Sequence, residues 1–266
     1  MSAPMSAHEL TTQLKKWGVG YREYGNWSDH NRAGHGGWGT MNGFMWHHTG
    51  SDGTDQRSYL YNGDASLPGP LCQFHIDSAG LVWLIGWGRA NHAGGGDPAV
   101  LAHVVAENYN GVLHPHYHEG ENGSVDGNAH FYGVEIGYAG THGMSHAQYV
   151  SALKLSAAVC DFHGWTEKSV IGHGEWSDWK WDPGYAKGKI MDMNAVRNDV
   201  HDLLHPAKKP AEKKSSPKTL TVVVKSGDTL WKLAEKYLGD GNKWPELVEA
   251  NADVMLRVGD VIKIPR

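Results

Sequence analysis

The strongest constraint on how this chain can fold is a stretch with nothing to fold around. Residues 206–219, PAKKPAEKKSSPKT, contain no apolar side chain larger than alanine, no periodicity, and five lysines against one glutamate. Such a segment buries too little surface to offset its ordering entropy, and it reads as an extended, self-repelling Pro/Lys/Ser linker. It divides the 266-residue chain into residues 1–205 and 220–266. The first part is long enough for a sizeable core. The second is so short that nearly every apolar position in it must be structural.

Charge follows the same division. Residues 1–205 hold 12 basic and 21 acidic side chains, a balance of −9; the linker carries +4, and residues 220–266 hold seven of each sign. All 18 histidines lie in the first part. An acidic surface argues against a nucleic-acid partner, which requires a basic face. The longest apolar run, residues 81–85, is far short of the ~20 residues that cross a bilayer, so no membrane span is expected. The first twenty residues lack the basic start, apolar stretch and cleavage site of a secretory signal, which makes a cytoplasm the expected starting compartment. Cys72 and Cys160 form no CxxC pair and are expected to be buried thiols.

Within residues 1–205, capping signals and spacing place the main elements. Ser6-Ala7-His8-Glu9 is a capping box ahead of Leu10, Leu14 and Trp17; Ser145-His146-Ala147-Gln148 is another, opening a helix with the stripe Tyr149, Leu153, Ala157, Cys160 and a stop near Gly164. A third helix carries Val196, Val200 and Leu204. Strands are expected at 43–48, 73–76, 81–85 and 131–138, and long loops at 25–40 and 93–130. Strands alternating with helices predict an α/β domain with a central mixed sheet flanked by helices.

Three places carry candidate metal ligands: Trp46-His47-His48-Thr49, Gly133-Val134-Glu135-Ile136-Gly137, and Gly172-His173-Gly174-Glu175 with Lys180-Trp181-Asp182-Pro183 downstream. Successive strand residues point to opposite faces, so only one of His47 and His48 can serve a given site. Val134, Ile136 and Tyr138 alternate toward the core, which sends Glu135 the other way, either to solvent or into a cleft. Two imidazoles and a carboxylate suit Zn²⁺ with an open fourth position. A chain with 18 histidines also makes such pairs by accident, and an isolated histidine is more often packed or solvated than ligating. His114, His116 and His118 could form a second metal site, but they sit in a Gly/Asn/Glu-rich loop without a matching Cys or Asp partner.

Taken in order, W-H-H-T, G-V-E-I-G, G-H-x-E-W and K-W-D-P resemble the type 2 zinc N-acetylmuramoyl-L-alanine amidases, which share a fold with peptidoglycan recognition proteins. The resemblance covers roughly residues 12–203. It implies His47, His173 and Asp182 as Zn²⁺ ligands, Glu135 as general base and Lys180 as oxyanion stabiliser. It further implies that His48, together with Asn91 and His92 of the R-A-N-H-A-G segment, lines the substrate cleft. Binding-only members of that fold usually lack the third ligand, so Asp182 favours an enzyme. Cys72 stands near the place where some members carry a tyrosine. Trp176, Trp179 and Trp181 around the third ligand are expected mainly to pack.

Residues 220–266 read strand, helix, helix, strand, with Pro245 in the first turn of the second helix and Asp228 as the expected helix cap. V-K-S-G-D-T-L-W-K-L-A followed by Asn251 and V-G-D-V-I-K-I-P resembles the lysin motif, a βααβ module for N-acetylglucosamine-containing glycans. The resemblance implies a glycan groove at Gly227, Asp228, Thr229 and Leu230 on one side and from Asn251 to Met255 on the other.

Together these imply a peptidoglycan hydrolase that cuts between the muramic acid lactyl group and L-alanine. The whole resembles an endolysin of an actinobacterial phage: a monomer held in the host cytoplasm until a holin releases it to the cell wall. A non-catalytic peptidoglycan-binding or sensing protein, and a zinc peptidase cutting within the stem peptide, are the competing readings. The linker reading makes its own prediction: brief trypsin treatment should cut among the lysines of 206–219 and leave two protected fragments. Protection of that segment while other sites are cut would contradict it.

Overall fold

In a computed structural model, residues 2–116, 124–206, 220–251 and 259–265 are described. The chain divides into two compact units, Met1–Ala207 and Lys208–Arg266. Apart from Pro206, the expected linker lies outside the described residues.

In the first unit, helices α1 (Ala7–Lys16), α2 (Arg57–Asn62), α3 (Pro98–Ala106), α4 (His146–His163), α5 (His173–Trp176) and α6 (Met193–Leu204) accompany a central sheet. Its strands are β1 (Tyr21–Glu23), β2 (Gly43–His48), β3 (Phe74–Ile76), β4 (Val82–Leu84), β5 (Phe131–Ile136) and β6 (Val170–Gly172). Their order across the sheet is β1-β4-β3-β5-β2-β6, and every neighbouring pair is parallel except β3 with β4. This is the expected mixed sheet flanked by helices.

Both capping boxes form. Ser6 Oγ accepts from the Glu9 amide while Glu9 Oε2 accepts from the Ser6 amide, and Ser145 and Gln148 do the same at α4. Gly164 ends α4 in the left-handed region at φ 68°. One face of the sheet presents Phe44, Trp46, Tyr132, Val134 and Ile136 to a core shared with Leu10, Leu14, Leu153, Cys160 and Val196. Helix α4 is buried well beyond its expected stripe, because it packs against α1, α6 and the sheet at once. The opposite face presents Met45, Phe131 and Ile171 to Val100, Val104 and Trp176. Both cysteines are buried and unpaired.

The segment 93–130, read as one long loop, contains α3. Asp97 accepts from the Ala99 amide at 2.7 Å and Pro98 occupies the first turn, a start signal present in the sequence but set among glycines. Strands β1 and β6 and helix α2 were also not expected. The two strands are three residues each and exist through pairing with β4 and β2.

The second unit pairs β7 (Leu220–Val223) antiparallel with β8 (Val261–Ile264) and packs helices α7 (Leu230–Leu238) and α8 (Trp244–Ala250) over Val224, Leu233, Ala234, Leu247, Ile262 and Ile264. This is the expected βααβ order.

A buried ion pair joins α5 to α6. Arg197 donates to both Glu175 carboxylate oxygens at 2.9 Å and to the carbonyls of Val170 and Gly111, while Glu175 also accepts from the amides of Leu113 and Gly172. Each side chain is at most 4% exposed. Removing one partner strands a charge, so Arg197→Met should cost about 3–5 kcal/mol in urea unfolding; a loss below ~1 kcal/mol would show the pair to be dispensable.

Candidate active site

The parallel strands β2, β5 and β6 end on the same edge of the sheet, the usual place for a site in such folds. In the strand register His75, Glu135 and His47 stand side by side across β3, β5 and β2. His47 leaves β2 on the face opposite the Trp46 core, as alternation requires. His173 opens α5 immediately after β6. Asp182 comes in on the following loop, whose backbone is held by the Gly174 amide donating to the Asp182 carbonyl at 2.9 Å.

These three side chains converge. His47 Nδ1 lies 2.9 Å from His173 Nδ1 and 3.0 Å from Asp182 Oδ2, and His173 Nδ1 lies 3.0 Å from the same oxygen. All three residues are buried, and among the described residues they form the one group of this kind suited to a metal ion. Burial first, and then the neighbouring His173, hold His47 down to a pKa of about 4, so it is neutral at physiological pH. Burial works against the charge on Asp182, but His173 and His47 outweigh it and keep the carboxyl well below its usual range. Two imidazoles and a carboxylate around a common point are a donor set that fits a divalent cation such as zinc.

A cavity of about 430 Å³ opens beside this triangle, lined by Glu135 and Lys180 together with Tyr59, Leu67, Asn91 and Trp179. Glu135 Oε2 is sealed from solvent without a hydrogen-bond partner among the described residues. Burial, reinforced by the negative charge of Asp182, pushes the Glu135 carboxyl well above its usual value; Lys180 works in the opposite direction.

The remaining expected site residues separate into distinct roles. His48 lines the cavity, but its Nδ1 accepts from the Gly184 amide at 2.9 Å and its ring lies 4.6 Å from that of Trp181. It therefore anchors the loop bearing Lys180 and Asp182, and burial lowers its pKa, which favours the neutral, accepting ring. Asn91 lines the cavity while its side-chain amide donates to the Pro68 carbonyl. His92, expected as a substrate residue, is only 9% exposed, and both its ring nitrogens face groups of the protein: His47 Nε2 at 3.1 Å and the Phe131 carbonyl at 3.2 Å. His92 thus lines the cavity, as expected, with both ring nitrogens already engaged by the protein, one of them by His47. Of the tryptophans, Trp176 is fully buried and Trp181 packs on His48, as expected, but Trp179 is 48% exposed at the cavity. Tyr59, Leu67 and Asn128 were missed; no local pattern marks them. His116 bonds to Asp97, the cap of α3, and His118 lies outside the described residues.

In the second unit Gly227 takes φ 85°, and Asp228 accepts from the Lys225 amide, closing the turn. The α7 cap is Thr229, which accepts from the Lys232 amide at 3.2 Å, rather than Asp228. The two neighbours are equally able to cap, and the Gly227 turn spends Asp228 on its own closure. Leu230 is half-buried against the core. Asn251 donates to the carbonyls of Leu247 and Lys263 and accepts from the Lys263 amide, so its side chain staples α8 to β8. Residues 252–255, the rest of the expected groove, lie outside the described residues.

With this geometry in place, comparison with known proteins is decisive for the first unit. Residues 37–185 match the N-acetylmuramoyl-L-alanine amidase family. The chain belongs to that family. Residues 222–265 match the LysM domain, so the amidase domain is followed by a lysin motif. An uncharacterized protein, YqbP of Bacillus subtilis (strain 168), is 48% identical over 50 residues, which is 19% of this chain and 22% of that protein. The match thus spans under a quarter of that relative. Among solved structures, the endolysin amidase LysCS of Clostridium intestinale URNW is 16% identical, with a TM-score of 0.38 over 62% of this chain and 88% of that one. The hydrolase AmiA of Staphylococcus aureus is 13% identical, with a TM-score of 0.41 over 76% and 94%. The family assignment rests on the first of these matches.

The state of Glu135 yields a test. In the unfolded chain a glutamate ionises near pH ~4.3, whereas in the folded, metal-free amidase domain Glu135 ionises higher. Between those values the native state holds a proton that the unfolded state has lost, so stability contributed by this group falls as pH rises through the window. Glu135→Gln should therefore melt above wild type at about pH 7.5, with the gap closing below about pH 4. A variant that melts at or below wild type at neutral pH would contradict the burial cost.

Proposed function

We propose that this chain hydrolyses the amide between the N-acetylmuramic acid lactyl group and L-alanine in peptidoglycan, using a zinc ion held by His47, His173 and Asp182. The observation that carries the reading is the placement of Glu135 and Lys180 in the wall of the same cavity as that triangle. When bound, the metal polarises the scissile carbonyl and lowers the pKa of water. The chain's own groups supply the rest. Glu135, poised above the usual carboxylate pKa, takes the proton of the attacking water and returns it to the leaving L-alanine nitrogen. Lys180 places its ammonium against the oxyanion that develops on the carbonyl. His48 and Trp181 hold the loop that delivers Lys180 and Asp182 to the sheet edge.

The lysin motif is proposed to bind the N-acetylglucosamine-containing glycan through the Gly227–Leu230 turn and the backbone near Asn251, since the Asp228 and Asn251 side chains are already engaged. Its contribution is effective concentration: a weak, tethered module keeps the amidase domain on an insoluble polymer. A catalytic domain followed by a wall-binding one suits a monomeric phage endolysin that a holin releases from the host cytoplasm, and that role is proposed with the activity.

The test is to incubate metal-loaded protein with purified peptidoglycan and identify new ends by mass spectrometry. The expected products are L-alanine amino termini on intact glycan strands. Ends within the stem peptide would support a peptidase instead, and no new ends would leave a binding protein. Glu135→Gln and Lys180→Ala should each lower kcat/KM by about 10²-fold or more while keeping the fold. Near-wild-type rates would refute these roles.

A further inference from the structure

Each imidazole of the triangle needs a partner on its outer nitrogen, and both partners come from one turn. His47 Nε2 lies 3.1 Å from His92 Nδ1, and His173 Nε2 lies 3.1 Å from the Ala93 carbonyl oxygen. The proton positions follow from what carbonyls can do. Phe131 O only accepts, so the neutral His92 ring carries its proton on Nε2 and leaves Nδ1 bare. His47 must then donate from Nε2, and His173 must donate from Nε2 to Ala93 O. In the neutral rings this leaves both inner Nδ1 atoms as lone pairs beside Asp182, free to ligate.

We infer that the 92–94 turn is the positioning device of the metal site: His92 and Ala93 together hold both histidines in the Nδ1-ligating tautomer, and Asn128 holds the turn. This rests on the metal reading above. Asn128 is 7% exposed, and its Oδ1 accepts from the amides of His92 and Ala93 at 2.9 Å and of Gly94 at 3.4 Å. Gly133 leaves the space for the ring, since a Cβ there would stand 2.4 Å from His92 Nδ1. Gly133 lies two residues before Glu135 on the same face of β5, beside the cavity that His92 also lines. A ring that merely filled this space would be replaceable by an apolar side chain without effect on the metal. A hydrogen-bonded relay is not, because the outer partner sets ring orientation and ligand basicity.

The test is metal affinity of the full chain, measured by chelator competition with Zn²⁺ and by the visible spectrum of the Co²⁺ form. His92→Leu should weaken binding by about 10- to 100-fold and alter the Co²⁺ spectrum, with Asn128→Ala acting in the same direction. His92→Asn, which keeps an acceptor near the Nδ1 position, should recover most of the loss. Affinity of folded His92→Leu within about threefold of wild type overturns the inference. If His92→Leu does not fold, wild-type affinity in Asn128→Ala overturns it instead. Wild-type protein that binds no ion refutes the metal reading and this inference together, whereas equal binding by wild type and variants refutes the inference alone.

Discussion

The rest of the structure is arranged around three polar side chains, His47, His173 and Asp182, brought to one point at the sheet edge. Two imidazole nitrogens and a carboxylate oxygen stand about 3.0 Å apart. Behind the two rings stand His92, itself against the Phe131 carbonyl, and the Ala93 carbonyl, the groups inferred to set their tautomers. Burial penalises the Asp182 charge, and the two histidines beside it offset that penalty. The same three atoms make a donor set suited to a divalent ion. Glu135 carries a burial cost of its own, a carboxylate oxygen sealed from solvent without a partner among the described residues, which pushes its carboxyl well above the usual value.

The sheet makes this arrangement reachable. Parallel strands deliver side chains to one edge in fixed register, so His47 and Glu135 meet as direct neighbours although 88 positions apart. The edge is stiffened from outside the site. The Arg197–Glu175 pair fixes the start of α5, and with it His173; the contact of His48 with the Gly184 amide fixes the loop carrying Asp182. In the second unit the same economy applies: Asp228, Thr229 and Asn251 are engaged in closing a turn, capping α7 and stapling α8 to β8.

Much of this was legible in the residues. Strand alternation separated His47 from His48 and turned Glu135 from the core, and both capping boxes marked helix starts to the residue. What was not legible depends on distant partners. The three-residue strands β1 and β6 have no pattern of their own and exist by pairing. The inward turn of His92 depends on a missing side chain at Gly133 and an amide at Asn128, neither adjacent to it in sequence. Helix α3 was signalled by Asp97-Pro98, but the surrounding glycines made the whole stretch read as loop.

The central claim is that His47, His173 and Asp182 hold one metal ion through inner nitrogens set by the 92–94 turn. It is tested most directly by a crystal structure of zinc-soaked protein with anomalous data at the zinc edge. The account predicts a single peak at about 2.0–2.2 Å from His47 Nδ1, His173 Nδ1 and an Asp182 oxygen, with His92 still bonded to His47 Nε2. Coordination through Nε2 of either histidine, or no peak between these three residues, would contradict it.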